Sequence, residues 1–502
     1  MSTITSRKTL YDYQEKAIEE IFERLDQYKE RYNLLFQLPT GGGKTVIFSE
    51  IVRRYLEKNT KKVLILTHRI ELCGQTSKML SEFGVTNKII NSDVKQLEDQ
   101  GHYNCFVAMV ETLNNRLSDD LLDLENIGLV IIDEAHYNSF TKLFKYFEDC
   151  FILGVTATPL SSNIKLPMNE NYKELIVGED IATLIEKGFL AKATTYSFNV
   201  GLGSLQVGIN GDYTVKSSEA LYTNHTMQEK LLHAYEAKSK GKKTLIFNNG
   251  INTSIYVYHT FRDAGYDIRH LDNTNTAQER KEILTWFKNT PNAILTSVSI
   301  LTTGFDEPTV ETIIINRATK SLTLYFQMIG RGSRIMGNKK EFNVIDLGNN
   351  AARFGLWSNP INWYKIFRSP NYFLENLTSD EAIERQFRYQ MPDEIREQFK
   401  NSEDVSFDIK TAYKEVAAKH LKSNLVLKQS LEQHTKICIE NSEDMYDAIH
   451  LAKLLDDDIK DRIKQYSYCI SKSTRNFLEW LEEDYKKNLR TMIRKHDFGD
   501  EE

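Results

Sequence analysis

Short apolar segments alternate with amphipathic ones along the first half of the chain. Strands that are buried on both faces belong to parallel sheets, and the apolar segments have that character. They are NLLFQL (33–38), KVLILT (62–67), NCFVAMV (104–110), GLVIIDE (128–134) and CFILGVTAT (150–158). Because helical segments such as 46–59 separate them, the pattern predicts a doubly wound α/β domain.

The same pattern restarts near Ala191. Further buried strands are predicted at 244–249, 292–298, 312–316 and 342–347. Amphipathic segments at 251–265 and 276–289 separate them, as helices do in βαβ units. The sequence therefore predicts a second α/β domain of similar build.

After about residue 370 the strand-like segments stop, and 379–391 and 474–496 have helical patterns. In the second of these, apolar positions recur on one stripe: Phe477, Leu478, Leu481, Tyr485, Leu489 and Met492. We expect a helical accessory region there, ending in a frayed acidic tail, DFGDEE. The domain boundaries that follow are 1–192, 193–370 and 371–502.

Composition narrows the class of protein. A chain of 502 residues is too long for one core. Its net charge of −6 is unlike that of a non-specific nucleic-acid binder, so any such site must be a local groove. Without a long apolar run or an apolar core in its N-terminal segment, we expect neither a membrane span nor secretion. The five cysteines are scattered, so we expect no zinc and a cytoplasmic location.

The stretch LPTGGGKT (38–45) follows a predicted strand and opens a predicted helix. The strict phosphate-loop pattern wants glycine where this chain has Leu38, and a flexible turn is the alternative. The strand–turn–helix context favours a phosphate site, in which amides at a helix N-terminus point at the anion. Lys44 would reach the β- and γ-phosphates, and Thr45 would hold Mg²⁺. The loop residues expected around the phosphates are Thr40, Gly41, Gly42 and Gly43.

An acidic pair, Asp133 and Glu134, ends the buried strand GLVIIDE. Carboxylates at the C-terminal end of a parallel strand face the crevice where ligands bind. Asp133 would hold Mg²⁺ through water, and Glu134 would orient or deprotonate an attacking water. A surface acidic pair is the alternative.

With DEAH (133–136), LPTGGGKT upstream and TAT (156–158) downstream, the chain resembles a superfamily 2 helicase of the DEAH-box group. The resemblance covers about residues 8–350, and that superfamily does not keep the first phosphate-loop glycine, which accounts for Leu38. Other motifs follow in the family's order: LYDYQ with Gln14, THRIEL (67–72), VET (110–112), IFNN (246–249), TTGFD (302–306) and QMIGRGSR (327–334).

The resemblance implies two tandem RecA-like domains that close on ATP and Mg²⁺ and open after hydrolysis. Arg331 and Arg334, three apart and so near one face if helical, would reach across the cleft, with Arg334 as the arginine finger. Gly304 and Asp306 would lie near the ribose. Gln14 would read adenine. Further residues expected to couple the cleft to the polymer are Thr156 and Thr158.

By motif position, the resemblance implies sugar–phosphate contacts from His68, Arg69, Thr112, Asn249 and Thr302. The motifs TTGFD and GRGSR, with VIDLGNNAARFG, look most like those of the XPB- and RadD-like DNA repair branch. That branch often carries a cysteine-rich zinc segment, which this chain lacks.

The function expected is that of an ATP-dependent DNA helicase or translocase. The alternatives are the motor subunit of a restriction or defence complex, an RNA helicase, and a non-enzymatic nucleotide-dependent scaffold. The presence of Lys44, Glu134 and Arg334 argues against the scaffold. A protein partner could dock on the helical region, and Trp357 and Trp363 could stack on bases or belong to the core.

Overall fold

The computed structural model describes residues 9–91, 100–119, 124–163, 165–302, 304–386, 389, 391–470 and 474–498. The chain divides into two compact units, Met1–Asp380 and Glu381–Glu502. The predicted acidic tail lies, from residue 499 onward, outside the described residues. Across the described ranges, no helix is both long enough and apolar enough to cross a membrane.

The first unit opens with a helix and a seven-stranded, entirely parallel sheet in the order β3-β4-β2-β5-β6-β1-β7. Its strands are β1 (Tyr32–Gln37), β2 (Lys62–Thr67), β3 (Asn87–Ile90), β4 (Cys105–Met109), β5 (Ile127–Asp133), β6 (Phe151–Thr156) and β7 (Glu174–Val177). The helices around it are α1 (Asp12–Tyr28), α2 (Lys44–Lys58), α3 (Ile70–Glu82), α4 (Val110–Ser118), α5 (Met168–Asn171) and α6 (Ile181–Glu186).

A second parallel sheet follows within the same unit, in the order β10-β11-β9-β12-β13-β8. Its strands are β8 (Lys192–Ser197), β9 (Thr244–Asn248), β10 (Ile268–Leu271), β11 (Ile294–Ser297), β12 (Thr312–Asn316) and β13 (Glu341–Asp346). The helices are α7 (Val215–Tyr222), α8 (His225–Ser239), α9 (Ile251–Asp263), α10 (Ala277–Asn289), α11 (Leu322–Gly330), α12 (Asn350–Phe354), α13 (Trp363–Arg368) and α14 (Pro370–Glu375). The next helix, α15 (Asp380–Glu384), starts at the last residue of the first unit, and its other residues belong to the second. The predicted pair of parallel-sheet domains is confirmed, while their exact boundaries stay a prediction.

The central strands of both sheets are mostly apolar and are buried along nearly their whole length, as expected of strands inside a parallel sheet. Both tryptophans considered as base-stacking residues belong to this core. Trp357 is 1% exposed and packs its ring 6.1 Å from that of Phe342. Trp363 is 8% exposed and lies 5.9 Å from Phe326. The base-stacking alternative is therefore wrong, because neither ring has a free face.

The second unit is helical, as predicted. Its helices are α16 (Asp393–Gln398), α17 (Ile409–Ala418), α18 (Asn424–Glu440), α19 (Met445–Leu454), α20 (Asp456–Cys469) and α21 (Arg475–Arg494). On α21, Leu481, Tyr485 and Leu489 are buried in the unit's own core, so the predicted stripe is confirmed. Phe477 and Met492 pack at its margin.

A buried polar network ties α18, α20 and α21 together. His434 contacts Asp458 through Nε2 at 2.8 Å and the Tyr485 hydroxyl through Nδ1 at 3.0 Å. Arg462 also pairs with Asp458, at 2.7 Å. Burial, aided by the Arg462 charge and opposed by Asp458, lowers the pKa of His434 from 6.5 to about 4.

This network makes the stability of the helical unit pH-dependent. The folded pKa of His434 lies below its unfolded value, so stability is lost as pH falls from about 6.5 toward 4. Between pH 7 and pH 5, the free energy of unfolding should fall by about 2 kcal/mol more in wild type than in His434→Gln. Hydrogen exchange of the α18 amides, corrected for intrinsic rates, measures this. The exposed His450 of α19 provides the control, His450→Gln, which should match wild type. Identical pH profiles for wild type and His434→Gln would contradict the prediction.

Candidate functional site

The glycine-rich loop lies between β1 and α2, as the sequence predicts. Helix α2 begins at Lys44, and Gly43 caps it with a φ of 88°, a left-handed conformation that favours glycine. The Lys44 side chain is partly buried, and its ammonium donates to the Leu38 carbonyl oxygen at 3.4 Å. The Leu38 side chain is buried too, and a Cβ added to Gly42 or Gly178 would lie within 3 Å of it. Leucine at this position therefore packs the base of the loop.

The acidic pair follows β5 directly. The Glu134 amide donates to Asp133 Oδ1 at 3.0 Å, and Glu134 itself has a φ of 53°. Burial and the neighbouring Glu134 charge raise the pKa of Asp133 to about 7. Burial also raises the pKa of Glu134, but the charges of Lys44, His136 and Arg331 outweigh this effect, so the pKa is lower than usual. Glu134 is thus the more readily ionised of the two carboxyls.

Arg334 comes from the second sheet's domain and reaches the glycine-rich loop of the first. Its Nε donates to Asp306 Oδ1 at 2.8 Å. A Cβ added to Gly41, whose φ is +96°, would lie 2.4 Å from Arg334 Nη1 and 3.0 Å from the Ser333 hydroxyl. Glycine at position 41 therefore allows the guanidinium to approach the loop.

Arg331 has a different environment. Its Nε and Nη2 donate to the Thr302 carbonyl at 3.0 and 2.7 Å, and its Nη1 donates to the Phe305 carbonyl at 2.6 Å. Helix α11 ends at Gly330, so the condition for a shared helical face is not met, although both arginines lie on the wall of one cavity. Burial lowers the pKa of Arg331 to about 10, which leaves it charged at neutral pH.

A cavity of about 520 Å³ brings these groups together. The predicted residues on its wall are Thr40, Gly41, Gly43, Lys44, Thr45, Asp133, Glu134, Gly304, Asp306, Arg331 and Arg334. Gln14 lies behind the loop, where its Oε1 accepts from the Tyr11 amide at 3.0 Å and its Nε2 is 3.5 Å from the Gly42 carbonyl.

The donor set of this cavity suits a phosphate chain with a hard cation. Among the described residues, Glu134 Oε2 and Arg334 Nη1 are buried without a hydrogen-bond partner. The carboxylate of Asp133 and the hydroxyl of Thr45 are oxygen ligands of the type that Mg²⁺ takes. A glycine loop, a partly buried lysine and an arginine from the facing domain match the phosphate oxygens.

Polar side chains also join the two domains beside this cavity. Thr158 Oγ1 donates to Thr323 Oγ1 at 2.9 Å. Gln327 Nε2 lies 3.3 Å from His136 Nε2, and His136 Nδ1 lies 3.0 Å from Thr156 Oγ1. Sequence reasoning missed Thr323, Gln327 and His136 as site residues, although His136 stands within the quoted DEAH.

The residues predicted to contact nucleic acid do not all lie on the wall of one cavity. Arg69 and Thr302 line a second interdomain cavity of about 480 Å³. Arg69 Nη1 donates to the Ile300 carbonyl at 2.9 Å, and the Thr302 hydroxyl donates to Ser299 O at 2.7 Å. Within the described part of the chain, that cavity's wall includes His136 and Tyr137 but not His68.

His68 is largely buried, with its ring 4.2 Å from that of Tyr137, and burial lowers its pKa to about 4. Thr112 lies in the first turn of α4. The Asn249 amide donates to Ser218 Oγ at 2.7 Å. The nucleic-acid contacts of these three residues stay predictions.

Comparisons with known proteins agree with this geometry. Residues 7–161 match the family described as Type III restriction enzyme, res subunit, and residues 226–336 match the Helicase conserved C-terminal domain. Together, the two matches support a superfamily 2 helicase. The two matched regions of this helicase carry the loop and acidic pair on one side and both arginines on the other.

The helicase is 29% identical over 368 residues to the putative ATP-dependent helicase IRC3 of Saccharomyces cerevisiae, covering 68% of this chain and 52% of that protein. It thus spans about half the length of this curated relative. A fragment of a putative HsdR subunit of a type I restriction enzyme from Vibrio vulnificus YJ016 has a TM-score of 0.55 at 22% identity, covering 69% of this chain and 66% of that one. The DNA-bound Type ISP restriction-modification enzyme LlaBIII has a TM-score of 0.51 at 15% identity, covering 99% of this chain and 39% of that one. Both structures share the fold.

Proposed function

We propose that this helicase hydrolyses ATP and uses the energy to move along DNA or to unwind it. The observation that carries the proposal is the cavity of about 520 Å³, whose wall comes from both domains. The first domain contributes Lys44 and Glu134, and the second contributes Arg331 and Arg334. Because the groups needed for hydrolysis meet only when the domains meet, turnover is coupled to domain closure.

Each group has a defined task in this proposal. Lys44 and the amides of Gly41 and Gly43 bind the phosphate oxygens. Glu134 orients the attacking water and accepts its proton, as its lowered pKa allows. Arg334 stabilises the negative charge that develops on the transferred phosphoryl group. Arg331 binds the backbone carbonyls of Thr302 and Phe305 and so holds these two residues in place.

Thr45 and Asp133 would hold Mg²⁺, which when bound supplies positive charge against the phosphate oxygens. Gln14 is assigned to adenine, and Gly304 and Asp306 to the ribose side of the site. Asp306 also keeps Arg334 oriented through its 2.8 Å contact.

DNA is the polymer that we propose. We propose that the helicase belongs to the XPB- and RadD-like branch of DEAH-box proteins, which its motifs TTGFD and GRGSR and its residues 344–355 resemble, and that it acts in DNA repair in the cytoplasm. LlaBIII, whose structure is DNA-bound, shares the fold of this chain. Arg69 and Thr302, on the second cavity, are the first contacts to test.

A second role is the motor subunit of a restriction or defence complex. The family matched by residues 7–161 is a restriction-enzyme subunit, and the fold of an HsdR fragment is shared. In this role the helical unit Glu381–Glu502 would dock the protein partner.

ATP hydrolysis measured with single-stranded DNA, duplex DNA and RNA added in turn tests the proposal, with Glu134→Gln as the inactive control. Strong stimulation by DNA that is absent in the variant supports a DNA motor. Stimulation by RNA alone would show that the protein acts on RNA and not on DNA. Hydrolysis that no polymer stimulates would favour the partner-activated restriction role.

The Thr158–Thr323 contact gives a test of coupling between the two cavities. Thr158→Val removes one neutral interdomain hydrogen bond, worth about 1 kcal/mol, so DNA-stimulated hydrolysis should fall about fivefold. Hydrolysis without DNA should change less than about twofold, because no phosphate contact is lost. Thr285→Val, at an exposed position of α10, is the matched control. Unchanged stimulation in Thr158→Val would show that this contact does not transmit coupling.

A further inference from the structure

A short hairpin, residues 206–214, precedes α7 at the edge of the second domain. Val207 and Tyr213 form an antiparallel bridge, and the Thr214 amide donates to the Gln206 carbonyl at 2.8 Å. The Gly208 amide donates to the Asp212 carbonyl, also at 2.8 Å. These bonds close a defined turn whose apex is Ile209.

The apex is apolar and fully in solvent. Ile209 has the exposure of an unfolded reference residue, 106%, and Val207 beside it is half exposed. A single exposed apolar side chain is ordinary on a protein surface. Here, however, hydrogen bonds to the second domain hold the turn that carries Ile209 in place.

Two anchors hold the hairpin to the second domain. Asp212 accepts from the Lys320 amide at 2.8 Å and from the Thr319 hydroxyl at 2.6 Å. The Tyr213 hydroxyl donates to Asp380 at 2.5 Å and accepts from Arg353 at 2.8 Å. Ile209 is therefore presented on a rigid support, so little conformational entropy is lost when a ligand covers it.

The turn forms part of the wall of the 480 Å³ cavity. Asn210, Gly211 and Asp212, which directly follow Ile209, lie on that wall with Arg69 and Thr302. The wall's cationic groups in the described structure are Arg69 and Lys320, and its one carboxylate, Asp212, already accepts the two hydrogen bonds above. Serine hydroxyls add donors to the same wall: Ser162, Ser299 and Ser321. The rest of the wall is largely apolar, with Leu160, Leu324, Leu374 and Leu377, so its cations and hydroxyls form a limited set of groups of the kind that contact sugar–phosphate.

We propose that Ile209 is an apolar wedge that packs against the bases of a nucleic-acid strand whose backbone lies along this cavity. The inference rests on the proposed function and adds a base contact to it. Apolar side chains, isoleucine among them, insert against base steps in other nucleic-acid complexes, and base faces are apolar in every sequence. The contact is therefore independent of sequence, as a motor on DNA requires.

The test compares binding of two strands to the full-length helicase. One is a single-stranded DNA oligonucleotide, and the other has the same length and phosphate charge but abasic sites throughout. Ile209→Ser should bind the base-bearing strand about tenfold more weakly than wild type and bind the abasic strand equally well. Ile209→Leu, which keeps the apolar surface, should bind as wild type does. Ile255→Ser, at an exposed position on α9, is the matched control.

The possible outcomes distinguish a failure of the Ile209 proposal from a failure of the proposed function. If Ile209→Ser loses affinity for both strands equally, or for neither, while DNA still stimulates wild-type hydrolysis, the wedge is wrong and the proposed function stands. If no nucleic acid binds or stimulates the wild type, the proposed function and the wedge are both overturned. Forked-duplex unwinding gives a second readout, in which Ile209→Ser should separate strands about tenfold more slowly at equal ATP consumption.

Discussion

Replacing Glu134 with glutamine should lower the ATP turnover number by about 10³-fold and leave nucleotide affinity within about threefold. The amide has nearly the same shape as the carboxylate, so the loop, Lys44 and Asp133 keep their positions. It cannot accept a proton from water. The lowered pKa of Glu134 means that wild type holds the ionised base over the whole neutral range.

Steady-state hydrolysis and fluorescent-nucleotide binding measure the two effects separately. The matched control is Glu125→Gln, because Glu125 is exposed and precedes the opposite end of β5. That variant should hydrolyse ATP at the wild-type rate. A Glu134→Gln enzyme with turnover within tenfold of wild type would show that another group activates the water.

Arg334→Ala should reduce the turnover number by about 10³-fold with a smaller effect on ATP affinity. The guanidinium lies against Gly41 and is oriented by Asp306, so its charge is positioned before the reaction. Its stabilisation is strongest for the charge that develops in the transition state, and the loss therefore appears mainly in turnover.

Two further variants make this test specific. Arg334→Lys keeps the charge but not the planar fork, and it should recover less than a tenth of the lost activity. Arg368→Ala, at an exposed position ending α13, should be neutral. Near-normal turnover in Arg334→Ala would remove Arg334 from the mechanism and leave Arg331, which already binds two backbone carbonyls, as the next candidate.

The central strands of both sheets could be predicted from the sequence, but the edge strands could not. The strands that it did not predict are β3, β7, β8 and β10, and each lies at a sheet edge. Edge strands bury only part of their surface, so they lack the doubly apolar pattern that marks a central strand. The segment KATTYS, now β8, shows this, since no residue of it is fully buried.

At the site, residues within one motif were predictable, and contacts between motifs were not. The glycine loop and the acidic pair each follow a strand, so their chemistry could be placed from local pattern alone. Thr158 meets Thr323 across 165 positions, and His136 meets Gln327 across 191. No local sequence pattern encodes a contact between residues that are so far apart along the chain. The arginines show the same limit, because the resemblance implied their chemistry while the end of α11 set their directions.

The left-handed backbone of Glu134 has a consequence for the evolution of this helicase. A side chain with a φ of 53° is strained by about 1 kcal/mol or more, and glycine at that position would relieve the strain. Selection for thermostability and selection for turnover therefore act in opposite directions at this residue. Laboratory evolution that selects for heat resistance alone would select substitutions at position 134 and would enrich folded but inactive proteins.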